Sequence, residues 1–207
     1  DLIWFNNHSV TPSVNYYIQQ LFAKNTGTES VEYSLIGAEN KNTDLKGAVG
    51  VGTWYTSAKF DNVKITDNAK ETLASDSFDS KASKKNWELP LGGDWTFTDN
   101  ALVYPTTDMS YAEVGTVAYF GDTEWSNYTY TVEATKLDGS EGFLIPFAVQ
   151  GVDNNIFWNI GGWGNTVSAL QQVESGRKTG QLPGTAKDFV VETGKTYELM
   201  VEVKGDT

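Results

Sequence analysis

Along most of this chain, apolar and polar residues alternate in short runs separated by turn residues at roughly even intervals. Tyr128-Thr-Tyr-Thr-Val-Glu-Ala134 alternates with period two, which predicts a strand with one face buried and the other wet. Continuous apolar runs at Phe143 to Val149 and Ile156 to Ile160 predict strands covered on both faces. Further strands are expected at Val31 to Ile36, Thr72 to Phe78, Ala101 to Tyr104, Tyr111 to Phe120, Val167 to Val173, Phe189 to Val191 and Tyr197 to Val203. Between Gly47 and Ile65, Val49, Val51 and Thr53 alternate with Gly50, Gly52 and Trp54, and Lys59, Asp61 and Lys64 then interrupt Phe60, Val63 and Ile65. The simplest account is an antiparallel pair turning around Tyr55 to Ser57. Turns are expected at Thr66 to Lys70, Leu137 to Gly142 and Asn154-Asn155. This spacing implies an all-β sandwich from about residue 28 onward, with residues 28–70 supplying its N-terminal strands.

The first 27 residues break the pattern. Leu2-Ile3-Trp4-Phe5 reads as a buried strand. Thr11 before Pro12 fits an N-cap followed by proline at the first helical position, and Val14, Tyr17, Ile18, Leu21 and Phe22 recur at helical spacing. Asn25 to Gly27 is a stop signal. A lone strand-helix unit ahead of a β domain suits the last piece of something larger, and equally a helix packed on the sandwich.

The residues Asp1-Leu-Ile-Trp-Phe-Asn-Asn7 and Pro12-Ser-Val-Asn-Tyr-Tyr-Ile-Gln-Gln-Leu-Phe22 resemble the final strand and helix of the catalytic (β/α)8 barrel in α-L-arabinofuranosidases of glycoside hydrolase family 51. The resemblance implies that the chain is the C-terminal part of an enzyme trimming arabinan or arabinoxylan, with the barrel as its partner in cis. Both catalytic glutamates of that family lie on earlier barrel strands, and no residue here matches either of them. A retaining glycosidase needs two carboxylates about 5 Å apart, so the chain itself is expected to be catalytically silent. The segments around Phe78-Asp79, Trp87, Gly93-x-Trp95, Trp125-Ser-Asn-Tyr-Thr129, Glu141-Gly-Phe143 and Trp158-Asn-Ile-Gly-Gly-Trp163 resemble a laminin-G or concanavalin-type jelly roll. In that fold the pattern Ala58-x-Phe-Asp-Asn-Val-x-Ile65 usually closes the domain. Here it comes early, so either the sandwich is permuted or residues 47–65 end an earlier unit. The last residues, Val203 to Thr207, read as mid-hairpin.

Composition narrows the partners. With 15 basic and 27 acidic residues the net charge is −12, which repels phosphate backbones and argues against nucleic acid. Cysteine is absent, which excludes disulfides and thiolate metal sites. No hydrophobic run approaches the roughly 20 residues that span a bilayer, so no membrane association is expected. The arabinofuranosidase resemblance implies an extracellular or periplasmic bacterial protein.

Aromatic residues are abundant, with seven Trp, ten Tyr and ten Phe, and the candidate chemistry follows from them. Phe157-Trp-Asn-Ile-Gly-Gly-Trp-Gly-Asn165 combines aromatic rings with amides, which suits sugar binding by stacking on C–H faces and bonding to hydroxyls. Trp163, Asn165 and Trp158 are the candidates there. Alternation places Trp158 opposite Phe157 and Asn159 and so toward a core. Trp54 and Tyr55, at a strand end, are candidates for the same surface, and Trp125 suits a rim or core position. Asp76, Asp79 and Asp61 could bind a structural calcium through loop carboxylates, although acidic loop residues are common in so acidic a chain. His8 follows the strand that resembles the barrel's last one, where barrel active sites are built. Glu198 and Glu202 lie four apart rather than at the alternate positions of a glucanase strand. Two roles remain open: binding an arabinose- or xylose-containing polysaccharide, or serving as a spacer packed on the barrel.

Overall fold

A computed structural model describes residues 3–5, 10–12, 32–36, 45–98, 100–108 and 115–204. The chain forms a jelly-roll-like β-sandwich of two large sheets, with a separate two-stranded ribbon at its head. In the ribbon, β1 (Ile3–Phe5) pairs antiparallel with β2 (Val10–Pro12). Pro12 thus sits in an extended strand rather than at the first position of a helix. Extended backbone is the geometry that Thr11 adopts most readily before a proline. The helix expected over residues 14–22, and His8, lie outside the described residues.

One sheet contains β4 (Val49–Thr53), β7 (Trp87–Glu88), β10 (Thr116–Phe120), β12 (Phe143–Gly151), β13 (Asn154–Gly161), β14 (Val167–Glu174), β15 (Arg177–Lys178) and β16 (Lys187–Asp188). Its order is β15-β14-β13-β12-β4-β10-β7, with β16 also on β14. The second contains β3 (Glu32–Ile36), β5 (Thr56–Asp67), β6 (Thr72–Asp76), β8 (Thr96–Thr98), β9 (Ala101–Tyr104), β11 (Tyr128–Gly139) and β17 (Thr196–Lys204). Its order is β3-β17-β11-β5-β9-β8, with β6 on β5. Each named pairing is antiparallel except that of β3, which lies parallel on β17.

The early Gly47 to Ile65 segment does not form the expected hairpin. β4 and β5 lie in different sheets, each between other strands of its sheet. The burial of the two strands reflects this placement. Every residue of β4 is buried, whereas β5 alternates from Ala58 onward, as a strand with a wet outer face must. The segment is therefore central to the sandwich rather than the end of an earlier unit. Two smaller expectations also change. Phe189 to Val191 is irregular, with β16 ending just before it, and the turn expected at Asn154-Asn155 falls at Val152-Asp153, with β13 already begun at Asn154. A 3₁₀ helix covers Lys81–Asn86.

The core lies between the sheets, with Val49, Val51, Phe120, Phe143, Ile145, Trp158 and Ile160 on one side and Phe60, Ile65, Leu102, Tyr128, Tyr130 and Val132 on the other. Two tyrosines tie the sheets together. The Tyr130 hydroxyl donates to the Gly50 carbonyl at 2.8 Å, and the Ala148 N–H donates to the Tyr128 hydroxyl oxygen at 3.0 Å. Both phenols are buried, and burial raises their pKa above the ordinary tyrosine value.

Candidate functional site

Sheet register brings three corners of the chain together at one end of the sandwich. Phe143 pairs with Thr53 in one sheet, and Gly139 pairs with Thr56 in the other. The crossing at Trp54-Tyr55 therefore runs beside the crossing at Ser140 to Gly142. Ile160 pairs with Phe143, so the turn Gly161 to Asn165 after β13 opens on the same end. Hydrogen bonds join the corners: Ser140 N–H donates to the Tyr55 carbonyl at 3.0 Å and Glu141 N–H to the Thr56 hydroxyl at 3.1 Å. Gly139 is required for this closeness. At φ 111° it faces Tyr55, whose carbonyl oxygen would lie 2.2 Å from an added Cβ.

The corners display two aromatic side chains to solvent. Tyr55 is 48% exposed and Trp163 is 40% exposed, and both have left-handed backbones with φ of 49° and 52°. That conformation costs a non-glycine residue roughly 1–2 kcal/mol. Glu141 links the two corners from its side chain. Its Oε1 accepts the Gly164 N–H at 3.2 Å. Burial raises its carboxyl above the ordinary glutamate range, and the Gly164 N–H with Lys178 and Lys136 pulls it back without cancelling the effect.

The remaining sugar candidates serve packing. Trp158 is 1% exposed and belongs to the core, so it does not face a ligand, as strand alternation anticipated. The Asn165 amide is engaged by one backbone: its Nδ2 donates to the Val191 carbonyl at 2.9 Å and its Oδ1 accepts the Val191 N–H at 2.7 Å. Trp54 folds back against Leu144, Phe157 and Val173 on the outer face of its sheet. Its ring stacks on Tyr55 at 5.8 Å and carries the Lys178 ammonium 3.6 Å from its centre. Trp125 is half-buried against the core.

The three calcium candidates do not converge. Asp76 is buried, its Oδ1 accepting the Phe78 N–H (2.9 Å) and the Ser83 hydroxyl (2.7 Å) and its Oδ2 the Trp87 indole N–H (2.9 Å). Three of the roughly four acceptor positions of a carboxylate are thereby occupied, so Asp76 acts as a structural clamp. Asp79 accepts the Ser77 hydroxyl at 2.6 Å and Asp61 the Asn62 N–H at 2.7 Å. Among the described residues no group of three or more His, Cys, Asp or Glu side chains could hold a metal ion.

Two features were invisible to sequence spacing. The register Asp61↔Glu133↔Glu198 lines three carboxylates in one row across β5, β11 and β17. Burial raises the Asp61 carboxyl, with Glu133 and Asp79 adding to the rise and the Asn62 N–H opposing it. At the far end of β12 and β13, a groove of about 480 Å³ is lined by Lys46, Gln150, Asn154, Asn155, Gln172 and Glu174, among others. Its polar lining comes from residues about 100 positions apart, brought together by strand order.

Fold and site together define a jelly-roll-like sandwich with an aromatic surface at its sheet-crossing corners. Over 205 residues, 99% of its length, the chain is 39% identical to a protein of Streptomyces chartreusis described as an extracellular exo-α-L-arabinofuranosidase. The resemblance to arabinofuranosidases carried by the opening residues thus extends across the whole chain. The chain spans about a quarter of that relative, 24% of its length. No protein-family model matches the chain, and no solved structure matches it.

Proposed function

We propose that this chain is a non-catalytic β-sandwich region of a secreted bacterial α-L-arabinofuranosidase, and that its aromatic corner binds arabinose-containing polysaccharide. The observation that carries the reading is the pair Tyr55 and Trp163. Both are solvent-facing, both are held in costly left-handed backbone, and both stand on corners joined by Glu141. Rings left in solvent at such corners are free to meet a ligand. Aromatic faces stack on the C–H faces of neutral sugars. The nearby charges, Glu141 with Lys178 and Lys136, are of both signs and suit an uncharged ligand. Binding here would raise the local substrate concentration for a catalytic domain in the same chain. The extracellular description of the relative and the absence, among the described residues, of a helix able to cross a membrane fit this role.

Isothermal titration with arabinan, arabinoxylan and their short oligosaccharides tests the reading. Micromolar to millimolar binding that Trp163→Ala abolishes is the expected result. Absence of binding to every one of these glycans would refute it. A second reading, a spacer packed on a catalytic barrel, draws on the packing roles of Trp54, Trp158 and Asn165. It would be favoured by that outcome.

A further inference from the structure

Glu141 is an expensive residue where it stands. Its Oε2 is buried and accepts no hydrogen bond from the described residues, while Oε1 accepts the Gly164 N–H. A buried carboxylate oxygen without a donor costs free energy that an apolar side chain would not. A charge retained at such a cost needs a use outside folding. The turn it holds supplies one. Gly161 (φ 65°), Trp163 (φ 52°), Gly164 (φ 74°) and Asn165 (φ 61°) are all left-handed, a backbone that aims successive N–H groups to one side and favours an anion there. Asn165 pins the far end of the turn to Val191. Glu141 holds the near end, beside the residue that carries the exposed indole, and its own N–H anchors it to Thr56, next to Tyr55.

We infer that Glu141 is a positioning residue: its carboxylate fixes the turn that aims the Trp163 ring relative to Tyr55, and so sets the affinity of the corner for sugar. This rests on the proposed carbohydrate-binding role of Trp163. It assigns the preorganisation of the site to a residue that need not touch the ligand. Lys136 on β11 and Lys178 on β15 are the charged groups that face the carboxylate. Because burial raises its pKa, protonation begins above the ordinary glutamate range, and affinity falls as pH drops through it. For folding the sign is opposite, because a raised carboxyl pKa favours the folded state at low pH and works against it as pH rises.

The test uses the full 207-residue chain and α-1,5-linked arabinotetraose as probe, with titration calorimetry, thermal unfolding and amide hydrogen exchange. Glu141→Ala should weaken binding at least fivefold and speed exchange of the Trp163 and Gly164 amides, without lowering the unfolding midpoint. Glu141→Gln, which keeps a neutral acceptor, should restore part of the affinity and remove its acid dependence. A Glu141→Ala variant with wild-type affinity and exchange, while Trp163→Ala loses binding, overturns the inference alone. So does a Glu141→Ala variant whose midpoint falls along with its affinity, since that marks an ordinary structural residue. Wild-type protein that does not bind the probe, or Trp163→Ala that binds it undiminished, overturns the reading of the surface itself.

Discussion

Replacing Asp76 with alanine would show how much of this sandwich hangs on one buried carboxylate. The substitution removes acceptors from the Phe78 N–H, the Ser83 hydroxyl and the Trp87 indole. Phe78 and Trp87 are buried against each other with ring centres 5.4 Å apart, and Phe78 is held at φ 54°. Hydrogen bonds to a charged group contribute about 1.5–3 kcal/mol each, and they are not additive within one network. Leaving these three buried donors without an acceptor costs about 1–3 kcal/mol each, less than additively, so a loss of roughly 3–5 kcal/mol is expected. For a domain of this size each kcal/mol moves the midpoint by about 2–4 °C, so a fall of roughly 10 °C is expected. Urea and thermal unfolding followed by tryptophan fluorescence would measure it. Asp76→Asn should fall between the two, because its amide keeps an acceptor for Phe78 and Ser83 but presents a donor to the Trp87 indole. A drop of less than about 2 °C in the alanine variant would refute the clamp. A wild-type midpoint lowered by EDTA would instead show that calcium contributes.

Two further changes probe the sheets. Tyr130→Phe removes the bond from β11 to the Gly50 carbonyl of the opposite sheet and leaves that carbonyl buried, so a loss of about 1–2 kcal/mol in urea unfolding is expected; unchanged stability would mean the two sheets do not depend on it. Glu133→Gln relieves the like charges on either side of it in the Asp61↔Glu133↔Glu198 row, and a gain of about 0.2–1 kcal/mol, larger at low salt, is expected. A destabilised variant would show that the row is held by something other than repelling carboxylates.

Much of this protein was legible in its order of residues. Strand positions followed from local alternation: Ala101–Tyr104 is β9, and the period-two run from Tyr128 opens β11 with inner residues buried and outer ones half-buried. The inward aim of Trp158 followed from the same rule, because alternation along a strand is a local property of the backbone. The likeness to arabinofuranosidases was readable in the first 22 residues and extends over the chain. What depended on which strand lies beside which was not legible. The valines and glycines of β4 and the alternation of β5 suit a hairpin as well as two strands in separate sheets. Sheet membership is settled by partners roughly 60 to 90 residues away, such as Phe143 and Gly139. Trp54 and Trp163 look equivalent in sequence. Tertiary packing covers the first with Lys178 and leaves the second in solvent. Asp76 stood as a calcium candidate because a carboxylate near a loop is ambiguous until its donors are known, and its donors come from residues 2, 7 and 11 positions further on. The sequence by itself determined most strand positions, their buried faces and the likeness to an arabinofuranosidase. Tertiary structure alone decided which aromatic rings meet solvent and which carboxylates meet each other, because those depend on long-range register that no local pattern encodes.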